Sequence, residues 1–126
     1  MYTPNLDGTI LPGITRRSTL ELLDAHTNGR LTIPGIRPSV MLHTKETTVY
    51  MKDVQKFAAE GKLREIFGVG TAVVVCPVSK IGFSGRTIEV PGGDKGLGPV
   101  GVGLWQLIGD IQCGKVNFEG WCEVCE

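Results

Sequence analysis

Two short glycine-containing segments carry residue types that can bind phosphate. The first, Leu11 to Arg16, turns at a Pro-Gly pair and precedes an apolar stripe of helical spacing that starts at Leu20. A helix that begins here leaves its first free backbone N–H groups at about Ile14 to Arg16, where the helix dipole favours an anion. Thr15 or Ser18 is expected to cap this helix.

The second segment is Phe67 to Ala72, in which Gly70 and Thr71 stand just before the β-rich run Val73 to Cys76. Glycine lets the backbone approach a ligand closely, and the Thr71 hydroxyl can donate to a phosphate oxygen. Taken separately, each pattern also fits a plain turn that binds only water, because short motifs often occur without function. Together they suggest one phosphate bound from two sides.

The charge balance argues against nucleic acid or an anionic membrane as a partner. The 13 Lys and Arg residues cancel the 13 Asp and Glu residues, so no net attraction to polyanions exists. Met1 to Pro4 begins no signal peptide and no long apolar run follows, so we expect an intracellular protein with free thiols. Cys122 and Cys125 form a lone CxxC pair without further ligands, so we expect no metal site.

Periodicity predicts a single mixed α/β domain within residues 1–126. Helices are expected at Thr15–His26, Met51–Glu60 and Leu97–Cys113. Short strands are expected at Ser39–His43, Arg64–Phe67, Ala72–Cys76, Lys80–Phe83 and Thr87–Val90. These assignments follow the change from a helical period to short β-branched runs separated by Gly, Pro and Ser.

Three side-chain expectations accompany these elements. Ser18 followed by Glu21 has the spacing of a capping box at the start of the first helix. The apolar stripe from Met51 to Ala58 along the second helix predicts core packing. Glu21 and Glu65 are charged residues within periodic segments, and we expect both on solvated faces.

With Thr3 to Ile10 in front and Asp110 to Lys115 behind, the two glycine segments resemble the branched-chain amino-acid aminotransferases. These are class IV, fold-type IV enzymes that use pyridoxal phosphate (PLP), and the resemblance to their C-terminal third, particularly in fungal members, runs from Thr3 to about Glu119. It implies most of the larger C-terminal domain of the D-amino-acid aminotransferase-like fold, without its first strands. The chain would then be a single partial domain, with a surface insertion loop at 27–38 and a polar tail at 116–126.

The resemblance implies a role for each residue of the two segments. The backbone N–H groups of Ile14 and Thr15 would bind phosphate oxygens of PLP, and the Thr71 hydroxyl would complete the cradle. Gly13 and Gly70 would permit these close backbone approaches.

The resemblance also implies the substrates and the reaction. The Ala72 N–H would face the α-carboxylate of L-leucine, L-isoleucine or L-valine, which react with 2-oxoglutarate to give the branched 2-oxo acid and L-glutamate in branched-chain amino-acid biosynthesis and catabolism. The family's Schiff-base lysine lies before the stretch that begins at Thr3, in a context that none of the chain's lysines shares: Lys45, Lys52, Lys56, Lys62, Lys80, Lys95 and Lys115. We therefore expect no catalytic residue in this chain and no transamination by the chain alone.

Two main hypotheses follow from the sequence. In the first, the chain is a C-terminal fragment of a branched-chain aminotransferase, which in full length is a homodimer of the cytoplasm or the mitochondrion. In the second, it is an inactive short form that acts as a dimerisation or regulatory partner of an intact aminotransferase. A phosphate-binding module for another ligand is a third reading, which rests only on the two glycine segments. A fragment would expose strand edges and apolar surface that the missing part covers.

Overall fold

The computed structural model of the chain describes residues 1–93 and 96–125. These residues form three α-helices and six short strands, which confirms the mixed α/β class. In chain order the elements are β1 Tyr2–Thr3, α1 Ile14–Thr27, β2 Lys45–Glu46, α2 Met51–Ala59, β3 Phe67–Gly70, β4 Val74–Pro77, β5 Lys80–Phe83, β6 Arg86–Glu89 and α3 Pro99–Gln112. Lys95, one of the lysines considered above, and Glu126, the end of the expected tail, lie outside the described residues.

The described strands pair two by two. β1 lies parallel to β2, whereas β3–β4 and β5–β6 are antiparallel hairpins. The prediction of a strand at Ser39–His43 is wrong. β1 instead pairs with Lys45–Glu46. Beyond this pair, the Thr3 carbonyl accepts a hydrogen bond from the Thr47 N–H at 3.0 Å. The hairpin of β5 and β6 confirms the two strands predicted there, the second shifted by one residue.

Helix α1 packs one face into the core, and that face buries leucines together with a threonine and a histidine. Thr19, Leu22, Leu23 and His26 recur at helical spacing and are all buried. The expected caps are wrong: Gly13 is the N-cap residue, and no side chain bonds to the first turn. The expected capping box is also absent, because the Glu21 carboxylate accepts from Arg17 Nε at 2.9 Å on the exposed face.

The core lies between α1 and α3, with Val75 of β4 beside them. Helix α3 supplies the largest share of the cluster through four apolar side chains at helical spacing: Leu104, Leu107, Ile108 and Ile111. The structure confirms the helix predicted from this periodicity, with α3 beginning two residues later and ending one residue earlier than expected. Gly101 and Gly103 of α3 are buried and let other segments approach the helix: Gly101 lies against Glu65, and Gly103 lies against Ile33 and Pro34.

The segment at 27–38 is exposed over most of its length but contributes one residue to the core. Ile33 is fully buried, and its N–H donates to Nδ1 of buried His26 at 3.0 Å. The other ring nitrogen of His26 lies 3.1 Å from the Val40 carbonyl, so it carries the proton and donates. The segment at 27–38 therefore does not lie wholly on the surface. That it is an insertion stays a prediction.

Helix α2 has the predicted bounds to within one residue but not the predicted packing. It ends at Ala59, and Gly61 follows with a φ of +65°, as expected for a glycine that stops a helix. None of its residues is buried, so the stripe from Met51 to Ala58 is not part of the core. Within residues 1–93 and 96–125, no helix has the length and apolar character needed to cross a membrane.

Candidate functional site

The start of α1 presents backbone donors where the sequence predicts them. Gly13 has extended backbone angles (φ −62°, ψ 135°), and its carbonyl accepts the first intrahelical bond from the Arg17 N–H at 3.1 Å. The N–H groups of Ile14, Thr15 and Arg16 therefore precede the regular ladder and have no carbonyl one turn back to pair with. α1 also has no acidic residue in its first turn, so the positive end of its dipole is not neutralised from within the helix.

The Arg16 side chain is engaged elsewhere. One of its nitrogens donates to the Pro4 carbonyl at 2.8 Å and forms an ion pair with Glu46 at 2.5 Å. Only 13% of the side chain is exposed. The donors available at the helix start are therefore backbone N–H groups, and the guanidinium instead ties the amino-terminal segment to β2.

A small cavity of about 120 Å³ lies beside this helix start. Its walls come from α1, from the end of α3 and from the tail: Ile14, Thr15, Ser18, Ile108, Ile111, Gln112, Trp121 and Cys122. The Cys122 thiol donates to the Ile111 carbonyl at 2.9 Å, which fixes the tail against α3. The tail, through Trp121 and Cys122, thus forms one wall next to the predicted phosphate donors.

The predicted second loop is a strand followed by a tight turn. Phe67 to Gly70 is β3, and the antiparallel register of Gly70 with Val74 leaves only residues 71–73 in the turn. The strands predicted at 64–67 and 72–76 therefore begin later than expected, at Phe67 and Val74. Thr71 and Ala72 are exposed at the tip of the hairpin.

One residue at the end of this turn has a strained backbone. Val74 has a φ of +59°, a region that β-branched residues rarely adopt. The N–H of Val75 donates to the Val73 carbonyl at 2.7 Å, which closes a three-residue turn around Val74. Strained backbone of this kind occurs often at binding sites, where the surrounding structure maintains it.

Neither glycine of the predicted site is required by the backbone of the folded chain. Neither Gly13 nor Gly70 has a positive φ. A Cβ built on Gly13 meets only Arg16 Cβ at 3.9 Å, and one built on Gly70 meets nothing within 4 Å. That a ligand approaches these two glycines closely stays a prediction.

The two segments are carried by elements that pack together. α1 contacts β3, and β3 leads directly into Thr71. The cavity at the start of α1 includes Ile14 and Thr15 but not Gly70, Thr71 or Ala72 among its lining residues. A cradle closed from both sides therefore stays a prediction.

The sequence predicts Glu65 on a solvated face, and this prediction is wrong. The two carboxylate oxygens accept from the N–H groups of Val100 and Gly101, each at 3.0 Å. The Glu65 carboxylate thus neutralises the positive end of the α3 dipole. Neither helix has an acidic residue in its first turn, and α3 differs from α1 in receiving a carboxylate from a distant part of the chain. The difference is not visible in the sequence because Glu65 lies more than thirty residues before α3.

The segment before α1 contains one carboxyl group with a shifted pKa. The Thr9 hydroxyl donates to Asp7 Oδ1 at 2.6 Å, and the Thr9 N–H donates to the same oxygen at 3.0 Å. These two bonds favour the ionised form and lower the pKa of Asp7 below its ordinary value of 3.8. Gly8 between them has a φ of +94°, which glycine adopts without steric cost.

Comparison with known proteins gives the relatives of the chain. No protein-family profile matches it. It is 37% identical over 115 residues to branched-chain-amino-acid transaminase 1 of Bacillus subtilis, an alignment that covers 91% of this chain and 28% of that protein. It is 34% identical over 124 residues to the branched-chain-amino-acid aminotransferase of Monosiga brevicollis, covering 98% of this chain and 28% of that protein. The mitochondrial branched-chain-amino-acid aminotransferase of Schizosaccharomyces pombe is 38% identical over 122 residues, covering 96% and 26%.

The proteins that this chain resembles are aminotransferases or transaminases by name. The homologues of this chain are branched-chain amino-acid aminotransferases, a fungal one included, which confirms the resemblance seen in the sequence. The chain spans about a quarter of the length of the curated relatives that it matches. It therefore corresponds to a part of such a protein.

Proposed function

We propose that the chain is the phosphate-binding part of a branched-chain amino-acid aminotransferase with the larger C-terminal domain of the fold-type IV fold. The observation that carries the proposal is the similarity to a protein of that name over 98% of the chain. The complete protein would form a homodimer and transfer the amino group of leucine, isoleucine or valine to 2-oxoglutarate. The lysine that the family requires would come from another part of the polypeptide, so the chain by itself would be inactive.

The start of α1 fits the phosphate of PLP. The first-turn N–H groups of Ile14 and Thr15 are donors to an anion, and α1 has neither a capping side chain nor a first-turn acid. A phosphate would supply at α1 the negative charge that Glu65 supplies at α3. When bound, PLP supplies the electron sink for chemistry at the substrate α-carbon.

The hairpin tip would complete the site. In the proposal the Thr71 hydroxyl donates to a phosphate oxygen, and the Ala72 N–H donates to the α-carboxylate of the substrate. The strained turn at Val74 would fix the direction in which these two groups point. This chain would thus bind and orient the reactants, while proton transfer belongs to residues outside it.

The test is binding of pyridoxine 5′-phosphate, which has the phosphate but no aldehyde to react with surface lysines. Titration calorimetry of the 126-residue chain should show binding of this compound and much weaker binding of pyridoxine. Thr71→Ala should reduce the affinity roughly tenfold or more, because a hydrogen bond to a charged group contributes about 1.5–3 kcal/mol. Thr71→Ser should retain most of the affinity.

Thr87→Ala is the matched control, since Thr87 is an exposed threonine of the β5–β6 hairpin. Equal affinity for the phosphorylated and unphosphorylated compounds, or equal losses in the Thr71 and Thr87 variants, would contradict the proposed site.

The regulatory alternative is not favoured, because the three relatives compared above are all named aminotransferases or transaminases.

The location of the protein, in the mitochondrion or the cytosol, is also proposed from the names of the relatives. The S. pombe protein is named mitochondrial, and of two rat homologues one is named mitochondrial and the other cytosolic. Fractionation of cells followed by detection of the chain's tail sequence would distinguish the two compartments.

A further inference from the structure

A second, larger cavity separates α2 from the hairpins. Its volume is about 810 Å³, and most of the side chains that line it are apolar, including Val54, Phe57, Leu63, Ile66 and Ile81. The cavity opens to solvent, and a large accessible apolar surface of this kind marks an interaction site. The cavity is therefore a candidate docking surface.

Helix α2 forms one wall of the cavity. It has nine residues, none of them buried, and its Val54 and Phe57 line the cavity. A helix this short is marginal by itself in water, and most helical stability in proteins comes from packing of the apolar face. Phe57 does stack on Tyr2, with ring centroids 5.9 Å apart. α2 also contacts β6, and an occupant of the cavity would supply further packing for its apolar face.

The backbone beside the cavity indicates what the occupant is made of. The sequence predicts a strand at Arg64–Phe67, but the structure has irregular backbone there and β3 begins only at Phe67. Among the described residues the neighbouring hairpins have just two strands each, and two-stranded sheets gain stability from a third strand. A small apolar molecule supplies no backbone N–H and C=O groups, whereas a polypeptide segment supplies both these and apolar side chains.

The relatives indicate the source of that segment. The chain matches about a quarter of an aminotransferase, so about three quarters of such a polypeptide lie outside it. Met1 and Tyr2 are among the lining residues, so any residues joined to Met1 in a longer polypeptide would leave the chain at this cavity.

We propose that the cavity receives an apolar, strand-forming segment from the remaining three quarters of an aminotransferase polypeptide, an inference that rests on the proposed function. The Leu63 N–H already donates to the Phe57 carbonyl, and the Ile66 carbonyl accepts from the Val78 N–H. The segment therefore pairs with the remaining backbone groups at 64–66, extends β3 toward its amino end, and covers the apolar face of α2. The cavity is thus the surface through which this quarter joins the rest of the enzyme.

The experiment uses the 126-residue chain and, as a separate polypeptide, the part of the Bacillus subtilis relative outside the 115 matched residues. Co-purification and titration should show a complex of the two polypeptides. Phe57→Asp and Ile81→Asp should each weaken it at least tenfold, because each places a charge in an apolar interface. Trp105→Asp is the matched control: Trp105 lies on α3, is 54% exposed, and does not line the cavity.

Several outcomes would overturn the proposal. No complex, or equal weakening by Phe57→Asp and Trp105→Asp, would exclude this cavity as the joining surface. Dimers of the chain alone that Phe57→Asp converts to monomers would make the occupant a second copy. Circular dichroism of each variant checks folding, which a change on α2 should preserve because no residue of that helix is buried.

Hydrogen exchange gives an independent readout. Amides at 64–66 and in α2 should become at least tenfold more protected when the second polypeptide is added, while α1 changes little. Unchanged exchange at 64–66 would contradict strand addition even if a complex forms. Complex formation is measured without PLP, so it tests this inference independently of the phosphate site. If the complex forms but pyridoxine 5′-phosphate does not bind, the proposed phosphate site is rejected and this inference is retained.

Discussion

At the scale of single residues, His26 stands out because it joins three segments from inside the core. Its Nδ1 accepts from the Ile33 N–H at 3.0 Å and its Nε2 donates to the Val40 carbonyl at 3.1 Å. The side chain is 1% exposed. It therefore satisfies two backbone groups of a segment that has no regular secondary structure.

Replacement of His26 tests this role. His26→Ala should lower the free energy of unfolding by about 2–4 kcal/mol, because it opens a cavity and leaves a buried N–H without its acceptor. Urea unfolding at low protein concentration measures the effect. His43→Ala is the control: its side chain is exposed, so we expect a change within about 0.5 kcal/mol. Similar losses in both variants would show that the hydrogen bonds of His26 are unimportant.

Asp7 gives a prediction about pH. Its pKa is lowered by the hydroxyl and N–H of Thr9, so its ionised form is favoured in the folded chain. The resulting contribution to stability is present above the unfolded pKa and is lost as the pH falls through the folded pKa. Thr9→Val removes the hydroxyl and should raise the pKa of Asp7 toward 3.8, as followed by carboxyl NMR. Thr87→Val should leave it unchanged, and an unshifted pKa in Thr9→Val would show that the Thr9 hydroxyl is not what stabilises the carboxylate.

At the residue scale, the sequence predicts local relations well and distant ones poorly. The donors at Ile14 and Thr15 follow from the Pro-Gly turn and the apolar stripe that comes after it, all within a few residues. Glu65 is different, because the N–H groups that it contacts belong to Val100 and Gly101. Nothing in the local pattern around Glu65 distinguishes a capping carboxylate from a solvated one.

At the scale of elements, α3 shows how glycine can serve packing within a helix. Gly103 and Gly109 share this helix, yet a Cβ on Gly103 would come within 2.5 Å of Ile33 Cγ2 and of the Pro34 carbonyl oxygen. A Cβ on Gly109 would meet nothing within 4 Å. Glycine lowers the stability of a helix relative to alanine. Close packing offsets this loss at Gly103, and nothing offsets it at Gly109.

Alanine at these two positions should have opposite effects. Gly103→Ala should destabilise the chain by about 1–3 kcal/mol, since the backbone of Pro34 cannot move away cheaply. Gly109→Ala should stabilise it by about 0.5–1 kcal/mol, because alanine is the better helix former and has free space there. The midpoint of urea unfolding compares the two. A shift in the same direction for both would contradict the packing described.

The bounds of the helices could be predicted from sequence, whereas those of several strands could not. The limits of α1, α2 and α3 follow from apolar spacing and from the residues that stop each helix, such as Gly61. A strand depends on its neighbour as well as on its own residues. Ser39–His43 has strand-like residues but no partner strand among the described residues, while Lys45–Glu46 forms a strand because Tyr2–Thr3 lies beside it.

At the scale of the whole molecule, stability is distributed unevenly. The buried cluster joins α1, α3 and β4, and α2 contributes no buried residue. Regions with few buried contacts open with lower free energy than the core. The isolated chain is therefore expected to have one firmly packed part and one loosely attached helix.

Hydrogen exchange of the isolated chain tests this division. Amides in α2 should exchange at least a hundredfold faster than those in the middle of α3, because opening α2 exposes little apolar surface. The amides of α1 near Leu22 and Leu23 should resemble those of α3, since these side chains are fully buried. Equal protection of α2 and α3 would show that α2 is packed more firmly than the structure indicates.

The mixed class and the family could be inferred from sequence, but the arrangement of the whole could not. Val54 and Phe57 have the spacing of core residues, and the sequence does not reveal that they line a cavity of about 810 Å³. The described residues leave that space unfilled. Periodicity reports that a face is apolar, and only the three-dimensional arrangement reports whether anything covers it.

The position of Met1 and Tyr2 on the wall of the large cavity also decides where a reporter can be attached. A fluorescent protein fused ahead of Met1 would emerge at the cavity and obstruct the docking polypeptide, whereas Val124, at the opposite terminus, is 92% exposed. In the two-polypeptide titration, an amino-terminal fusion should therefore bind several-fold more weakly than a carboxy-terminal fusion. Equal affinities would mean that the amino terminus has room to leave the cavity freely.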